Sequence, residues 1–371
     1  GLLEISLRAM SIALIVIHLL LLLLSILPFV PNSHWIFRVP DFMKMQVLPL
    51  QIIALVTGLF YIGEVPTLLY LSILQGILIL YHLYILLHFT RFWKSEGGIA
   101  TARASKPVKV ISCNIYQFNT EYQRFIDLIK REDPDIFFTM ESNGDWEQAM
   151  RVLEQDYPNF EKVTLENTYG MHFYTRLKVH KIQTHYFVAD DLPSIEAELE
   201  TSDGHRFIFF GVHPPPPSPT EEQTSKERDG DLLSVAKRVR EYKLPVVVTG
   251  DFNNVAWAKS SKLFKRTSRL IDGRIGRGII VTFHAKYWFF RVPLDLLFHS
   301  PTIFIDQLFA YPTVGSDHFP IGCTFRIDRN NTQQVNQVED LEKGEMKEVN
   351  EIIEEGKEEE SDNREEVVTE D

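Results

Sequence analysis

Six places in this 371-residue chain set a polar, chemically capable side chain at the end of an apolar run. Asn114 closes the run from Val108, Glu141 follows Ile-Phe-Phe-Thr-Met, and His213 follows Phe-Phe-Gly-Val. Asp251 and Asn253 come after three valines, Thr249 and Gly250. Asp295 interrupts residues 292–298, and Asp317 and His318 stand before Phe319-Pro320-Ile321. A carboxylate and an amide held side by side can bind a hard metal ion, orient a water, or both. Histidine adds a proton carrier near neutral pH. In an extended chain Asp251 and Asn253 point to the same side. The same spacing also fits an Asx-type turn, which needs no chemistry. Singly, each of these residues is more often structural. Together they place so much polarity beside a core that one convergent pocket is expected.

The elements that must position them lie between residues 107 and 328. Short apolar strands are expected at 108–114, 135–140, 171–174, 179–187, 195–199 and 207–212, and over the valines at 246–248. Helices are expected at 121–131, 146–155 and 231–241. β-Branched valines favour a strand covered on both faces, and Gly250 permits a tight turn at its end. Mixed strands with interleaved helices argue for an α/β (α+β) sandwich whose sheets are covered by helices.

Upstream, residues 1–94 hold three long apolar runs, at about 10–30, 47–62 and 67–90, with almost no charge. Their length suits three transmembrane helices. A signal peptide fits the first run less well, because Pro28 and Pro31 follow it in place of a small-residue cleavage site. Residues 95–106 read as a linker. Three spans put the N-terminus and the large domain on opposite sides of the membrane. Arg91, Lys94, Arg103, Lys106 and Lys109 after the third span pull that domain toward the cytoplasm.

The last segment, 329–371, carries 16 Asp and Glu against 5 Lys and Arg. It accounts for nearly all of the chain's net charge of −12 and reads as an acidic disordered tail, solubilising or partner-recruiting. The remainder is near neutral, so a grip on duplex nucleic acid through its phosphates is not expected. Cys113 and Cys323 sit in apolar runs and read as buried thiols.

The order Asn114, Glu141, His213, Gly250-Asp251-Phe252-Asn253, Asp295 and Ser316-Asp317-His318 resembles the endonuclease/exonuclease/phosphatase superfamily, in its deoxyribonuclease and sphingomyelinase-like form. The pair Gly-Asp-Phe-Asn and Ser-Asp-His-x-Pro is the specific part. The N-terminal runs fit a bacterial membrane-anchored branch, which places its catalytic domain outside the cell (inner) membrane. That placement is the expectation adopted, against the charge pattern. The resemblance implies a four-layer sandwich with two central mixed β-sheets flanked by helices. It implies Asn114, Glu141 and Asp317 around a magnesium or manganese ion. Asp251 and Asn253 would orient water or hold phosphoryl oxygens, and His318 would contact the phosphate or act as base. Asp295 would orient His318, and His213 would protonate the leaving oxygen. Two departures stand out. Met140 replaces the usual Gln before the metal glutamate, and Thr175 stands for Ser in the strand after Gly170. His172 in that strand reads as a strand-face residue, and Pro214–Pro217 as a stiff cleft wall or a rigid loop exit. The implied activity is hydrolysis of a phosphomonoester, phosphodiester or pyrophosphate, with a lipid-linked or membrane-proximal substrate. A membrane-tethered nuclease and a non-catalytic scaffold are the alternatives.

Overall fold

The computed structural model describes residues 2–94, 97–359 and 364–370. Helix α1 (Leu2–Ile26) is followed by a short α2 (Trp35–Arg38), α3 (Lys44–Phe60) and α4 (Thr67–Leu87). Three stretches, Glu4–Phe29, Trp35–Phe60 and Thr67–Leu87, are long and apolar enough to cross a membrane. The first helix begins earlier than its apolar pattern indicated, and the second candidate span takes in α2 and the 3-10 helix Val39–Met43 that follows it. Between the helices lies a small polar knot. The Gln51 amide donates to Ser25 Oγ at 2.9 Å and to Gln75 Oε1 at 3.1 Å. The Gln75 amide donates to His18 O at 3.0 Å, and the His82 ring meets Gln51 Oε1 at 2.9 Å. Polar cross-links of this kind fix the register of helices whose contacts are otherwise apolar.

Two six-stranded mixed sheets follow. The first runs β11-β12-β1-β2-β4-β3 and the second β5-β6-β7-β8-β10-β9. Their strands are β1 (Val108–Asn114), β2 (Ile136–Met140), β3 (Asn159–Val163), β4 (Met171–Thr175), β5 (Lys178–His185), β6 (Ser194–Glu200), β7 (Arg206–Val212), β8 (Val246–Asp251), β9 (Ile271–Asp272), β10 (Asp295–His299), β11 (Ile303–Ala310) and β12 (Ile321–Ile327). Each sheet holds one parallel pair, β1 with β2 and β7 with β8; the other pairings are antiparallel. Val110, Phe138, Phe209 and Val247 are among the side chains packed between the sheets. On the outer face of the first sheet, Ile111 and Phe137 pack on α5 (Tyr122–Glu132) and α6 (Gly144–Met150). On the outer face of the second, Phe210 and Val248 pack on α7 (Lys226–Arg240), α8 (Lys259–Ser268) and the end of α4. The result is the four-layer sandwich. Alternating strand residues face these two kinds of core, so both faces of the central strands are apolar.

Residues 329–371 depart from the expected disordered tail. Helix α9 (Glu345–Glu358) lies on α7, with Val349 and Ile353 buried and Gly356 meeting Gly230. A Cβ on Gly356 would stand 3.1 Å from Gly230 Cα. The physical reason is a narrow apolar face at Met346, Val349, Ile353 and Gly356, which an overall acidic composition hides. Residues 360–363 and 371 of that segment, and residues 95–96 of the expected linker, lie outside the described residues. Arg364 is then buried against Glu227 at 2.9 Å, Asp191 at 2.6 Å and Glu222 at 3.2 Å. Arg364→Ala would leave the buried Glu227 without its cation. It is expected to lower stability by about 3 kcal/mol or more, read as the melting temperature of the detergent-solubilised protein.

The helical region and the sandwich are fastened together. Ile85, Leu86 and Phe89 belong to the same apolar cluster as β7, β8 and α7. Trp257 Nε1 donates to Asp41 O at 2.8 Å, Trp35 N to Gln223 O at 2.9 Å, and the Gln46 amide to Arg291 O at 2.8 Å.

Candidate active site

The polar strand ends converge at one edge of the sandwich. Both parallel pairs, β1/β2 and β7/β8, bring their C-terminal ends there, and they carry Asn114, Glu141, His213 and Asp251. Gly250 makes this possible. Its φ is +146°, and a Cβ there would stand 2.0 Å from Val212 O, so a side chain would push β8 off β7. Glu141 and Asn253 both take a left-handed backbone, at φ 60° and 47°. Such strain in non-glycine residues is characteristic of functional turns.

Asp251 is the hub. Its Oδ1 accepts from Asn253 N at 2.9 Å, so the Asx-type turn read from the sequence is present as well as the site. Its Oδ2 faces three groups: Asn114 Nδ2 at 3.0 Å, His318 Nε2 at 3.4 Å and His213 Nε2 at 3.7 Å. Asp295 lies directly opposite Asp251 in the β8/β10 register, and its Oδ2 meets His318 Nδ1 at 2.7 Å. His318 is thus held between two buried carboxylates. Burial alone would lower its pKa, but Asp295 and Asp251 overcome this and raise it well above the usual histidine range. Asp251, Asp295 and His318 are close enough to ligate an ion by distance alone. Within the group, Asp295 and His318 share a hydrogen bond and Asp251 stands as a second acid beside the ring, the arrangement of a proton relay. His213 is the opposite case. Burial pushes it down to about 4, so it is a neutral imidazole near pH 7. It stacks on Tyr169, with ring centroids 5.1 Å apart.

Glu141 sits across from this relay. Its Oε1 accepts from Asn114 Nδ2 at 3.0 Å and its Oε2 from Gln117 N at 3.2 Å. Burial, and then the Asp317 carboxylate nearby, push its pKa up to about 8. Two neighbouring carboxylates are the kind of oxygen donors that a hard divalent cation takes. Asn114 gives its own oxygen to Tyr116 N at 3.0 Å and turns its amide toward Glu141 and Asp251. It therefore bridges the two acids as the side chains stand.

Asn114, Glu141, His213, Asp251, Asn253, Asp295 and His318 are joined by these contacts, and Asp317 lies near enough to Glu141 to act on its charge. His172 lies within β4 and bonds Thr164 at 2.9 Å, as a strand-face residue. The Pro214 carbonyl accepts from Asn253 Nδ2 at 2.8 Å, which ties the start of the proline run to the site. Several supporting residues were missed. Ser316 Oγ donates to Asn114 O at 2.6 Å and accepts from His318 N at 3.0 Å, joining β1 to the histidine. Thr282 Oγ1 takes Asp295 N at 3.0 Å, and Met140 Sδ takes Asp251 N at 3.0 Å. The methionine thus occupies a structural position beside the acids. Gln117, three residues past a strand end, carried no sequence signal. A cleft of about 440 Å³ opens at the rim, lined by Tyr116, Arg124, Lys286, Thr313 and Glu370. The C-terminal segment reaches this rim. Tyr116 OH donates to Glu370 at 2.6 Å, and the Gln117 amide donates to Val367 O at 2.8 Å.

Among solved structures, a humanized D. rerio TDP2 is similar, with a TM-score of 0.50 and 19% identity, over 60% of this chain and 99% of that one. D. rerio TDP2 complexed with a single-strand DNA product also gives 0.50, at 18% identity, over 60% and 99%. A Bacteroides thetaiotaomicron mannosyl-6-phosphatase gives 0.47 at 18% identity, over 59% and 99%. At these identities the two matches at 0.50 speak for the fold alone. No curated protein matches the sequence. The sequence model of the Endonuclease/Exonuclease/phosphatase family matches residues 111–318, from within β1 to His318. With that match over more than half its length, the chain belongs to the Endonuclease/Exonuclease/phosphatase family, whose members hydrolyse phosphate esters.

Proposed function

We propose that the chain is a membrane-anchored, divalent-metal-dependent phosphoesterase acting on a phosphate ester or pyrophosphate carried by a lipid or held beside the bilayer. The observation that carries this reading is the fastening of the site-bearing sandwich to three membrane-length helices. The Gln46 amide of α3 reaches the backbone just before β10, and β10 begins with Asp295.

Glu141 and Asp317 would hold magnesium or manganese, with Asn114 fixing the Glu141 carboxylate. Such an ion supplies charge neutralisation at the phosphoryl oxygens. The rest is done by the chain's own groups. His318, charged between its two acids, contacts a phosphoryl oxygen and offsets developing negative charge. Asp251, with Asn253 beside it, orients the attacking water and accepts its proton. His213 donates a hydrogen bond from a neutral ring. This modifies its sequence-derived role as the acid, because a ring held near 4 carries no spare proton at pH 7. Three crossings put the N-terminus and the sandwich on opposite membrane faces, with the sandwich outside the cytoplasmic membrane. A C-terminal alkaline-phosphatase fusion would be active there and silent if the domain faced the cytosol.

A nuclease is the second reading, because one similar structure, the D. rerio protein, contains a single-strand DNA product. The deciding experiment is product release by the detergent-purified protein from undecaprenyl pyrophosphate, phosphatidylinositol phosphates, phosphatidic acid, sphingomyelin and single-stranded DNA. Each is run with magnesium, manganese or EDTA. Hydrolysis of one lipid phosphate, abolished by EDTA, is the expected result. Cleavage of DNA alone would replace this reading with the nuclease.

A further inference from the structure

Four consecutive aromatic residues stand in solvent beside the active site. Tyr287, Trp288, Phe289 and Phe290 are 51%, 80%, 60% and 39% exposed, between Lys286 and Arg291. Leaving so much apolar surface in water is costly, and a contiguous patch of this kind marks a contact surface. Trp288 meets Phe289 edge-on at 6.0 Å, and Tyr287 meets Phe289 at 5.8 Å. The rings therefore form one cluster.

The position of this loop says what it touches. At one end, Arg291 O accepts from the Gln46 side chain, and Gln46 lies in the first turn of α3. The loop therefore stands beside the first turn of α3, the helix that carries the second apolar stretch on to Phe60. Phe42, Met45 and Leu48 of that same end pack on the cluster that holds Val292 and Leu294. At the other end the loop is joined to the catalytic relay. Ala285 N donates to Asp317 O at 2.7 Å, and the Phe283 ring lies 5.0 Å from the His318 ring. Lys286 Nζ stands 5.3 Å from the Tyr116 ring at the cleft rim. Tryptophan and tyrosine favour the headgroup layer, where an apolar ring meets a wet edge, and flanking cations meet lipid phosphates there.

We propose that the loop from Lys286 to Arg291 is a bilayer-inserting wedge that seats the mouth of the active site in the headgroup layer, so that the substrate is a phosphate presented by a lipid in the same membrane. The substrate half of this inference rests on the phosphoesterase reading above; the wedge itself does not. Insertion at Trp288 and Phe289 brings the headgroup plane to the cleft edge at Lys286 and Tyr116. A lipid phosphate then reaches Glu141 and His318 without leaving the bilayer.

The test uses the full chain in nanodiscs of phosphatidylcholine and phosphatidylglycerol. Cys113 and Cys323 are buried, so a nitroxide label goes selectively to Trp288→Cys or, as a second site, Phe289→Cys. Collision with molecular oxygen and with a water-soluble nickel chelate reports depth. High oxygen and low nickel accessibility at both sites is expected. Nickel accessibility equal to that of an exposed-loop control would overturn the wedge, and shielding from both reagents would too, because it would mean that protein covers the loop. The Trp288→Ala/Phe289→Ala variant is then compared on the hydrolysed lipid of the panel above, in long-chain form in nanodiscs and in dioctanoyl form in solution. The ratio of the two rates is expected to fall at least tenfold. An unchanged ratio with inserted labels would overturn the loading role and leave the phosphoesterase reading standing. Inserted labels with no lipid phosphate hydrolysed would overturn the phosphoesterase reading and leave the wedge.

Discussion

Glu141→Gln is expected to abolish metal-dependent hydrolysis, and in the wild-type protein metal affinity is expected to climb with pH up to about 8. Both follow from one carboxyl group. Glu141 accepts hydrogen bonds from Asn114 and from Gln117 N, and burial with Asp317 nearby pushes it up to about 8. Without a cation the group is protonated at pH 7. A divalent ion must displace that proton, so affinity rises ~10-fold per pH unit below 8 and levels off above it. Between pH 6 and 8 this amounts to ~50-fold, because the group is half deprotonated at pH 8, and it is readable by calorimetric titration with Mn²⁺ at pH 6, 7 and 8. Glutamine keeps the shape and removes the charge. Loss of several kcal/mol of transition-state stabilisation corresponds to a fall in kcat/KM of roughly 10³-fold. Affinity that stays flat from pH 6 to 8, or a glutamine variant that still binds Mn²⁺ at wild-type strength, would remove Glu141 from the metal site.

How much of this could be read without coordinates depends on the kind of signal each residue leaves. Asn114, Glu141, His213, Asp251, Asp295 and His318 were legible because a polar residue at the end of an apolar strand is locally anomalous. Their assembly was less so. Asp295 comes to Asp251 only through the antiparallel register of β10 on β8, and 44 residues of sequence separate the two. Gln117 acts through a backbone amide, which looks ordinary in any loop, and Ser316, though within the motif, gave no sign of its bond to Asn114 O. Met140 seemed a departure, yet its sulfur accepts from Asp251 N, a contact that composition does not encode. The docking of α9 was visible in principle. Val349, Ile353 and Gly356 share a helical face, but the surrounding glutamates dominated the reading. The aromatic loop at 287–290 left a plain signal that no local rule assigns to strand, helix or site. Its meaning comes from Gln46 on one side and His318 on the other.

His318→Ala is expected to lower kcat by roughly 10²- to 10⁴-fold, the range for loss of a positioned acid–base group. Asp295→Asn then tells what the ring does. Asp295 on Nδ1 and Asp251 near Nε2 overcome burial and raise the pKa of His318 well above the usual histidine range. If the charged ring binds the phosphoryl group, activity persists to alkaline pH in the wild-type protein. Replacing Asp295 by asparagine keeps the shape and removes one of the two charges, so the pKa of His318 drops. The alkaline limb of the kcat profile should then move toward the ordinary histidine range, and activity at pH 8 should fall more than activity at pH 6. A His318 that acts as base predicts the reverse, because the deprotonated ring would become available earlier and the acidic limb would move down. The direction of the shift is therefore the observable. Movement of the acidic limb alone would transfer the role of base from Asp251 to His318 and leave Asp251 to hold the ring.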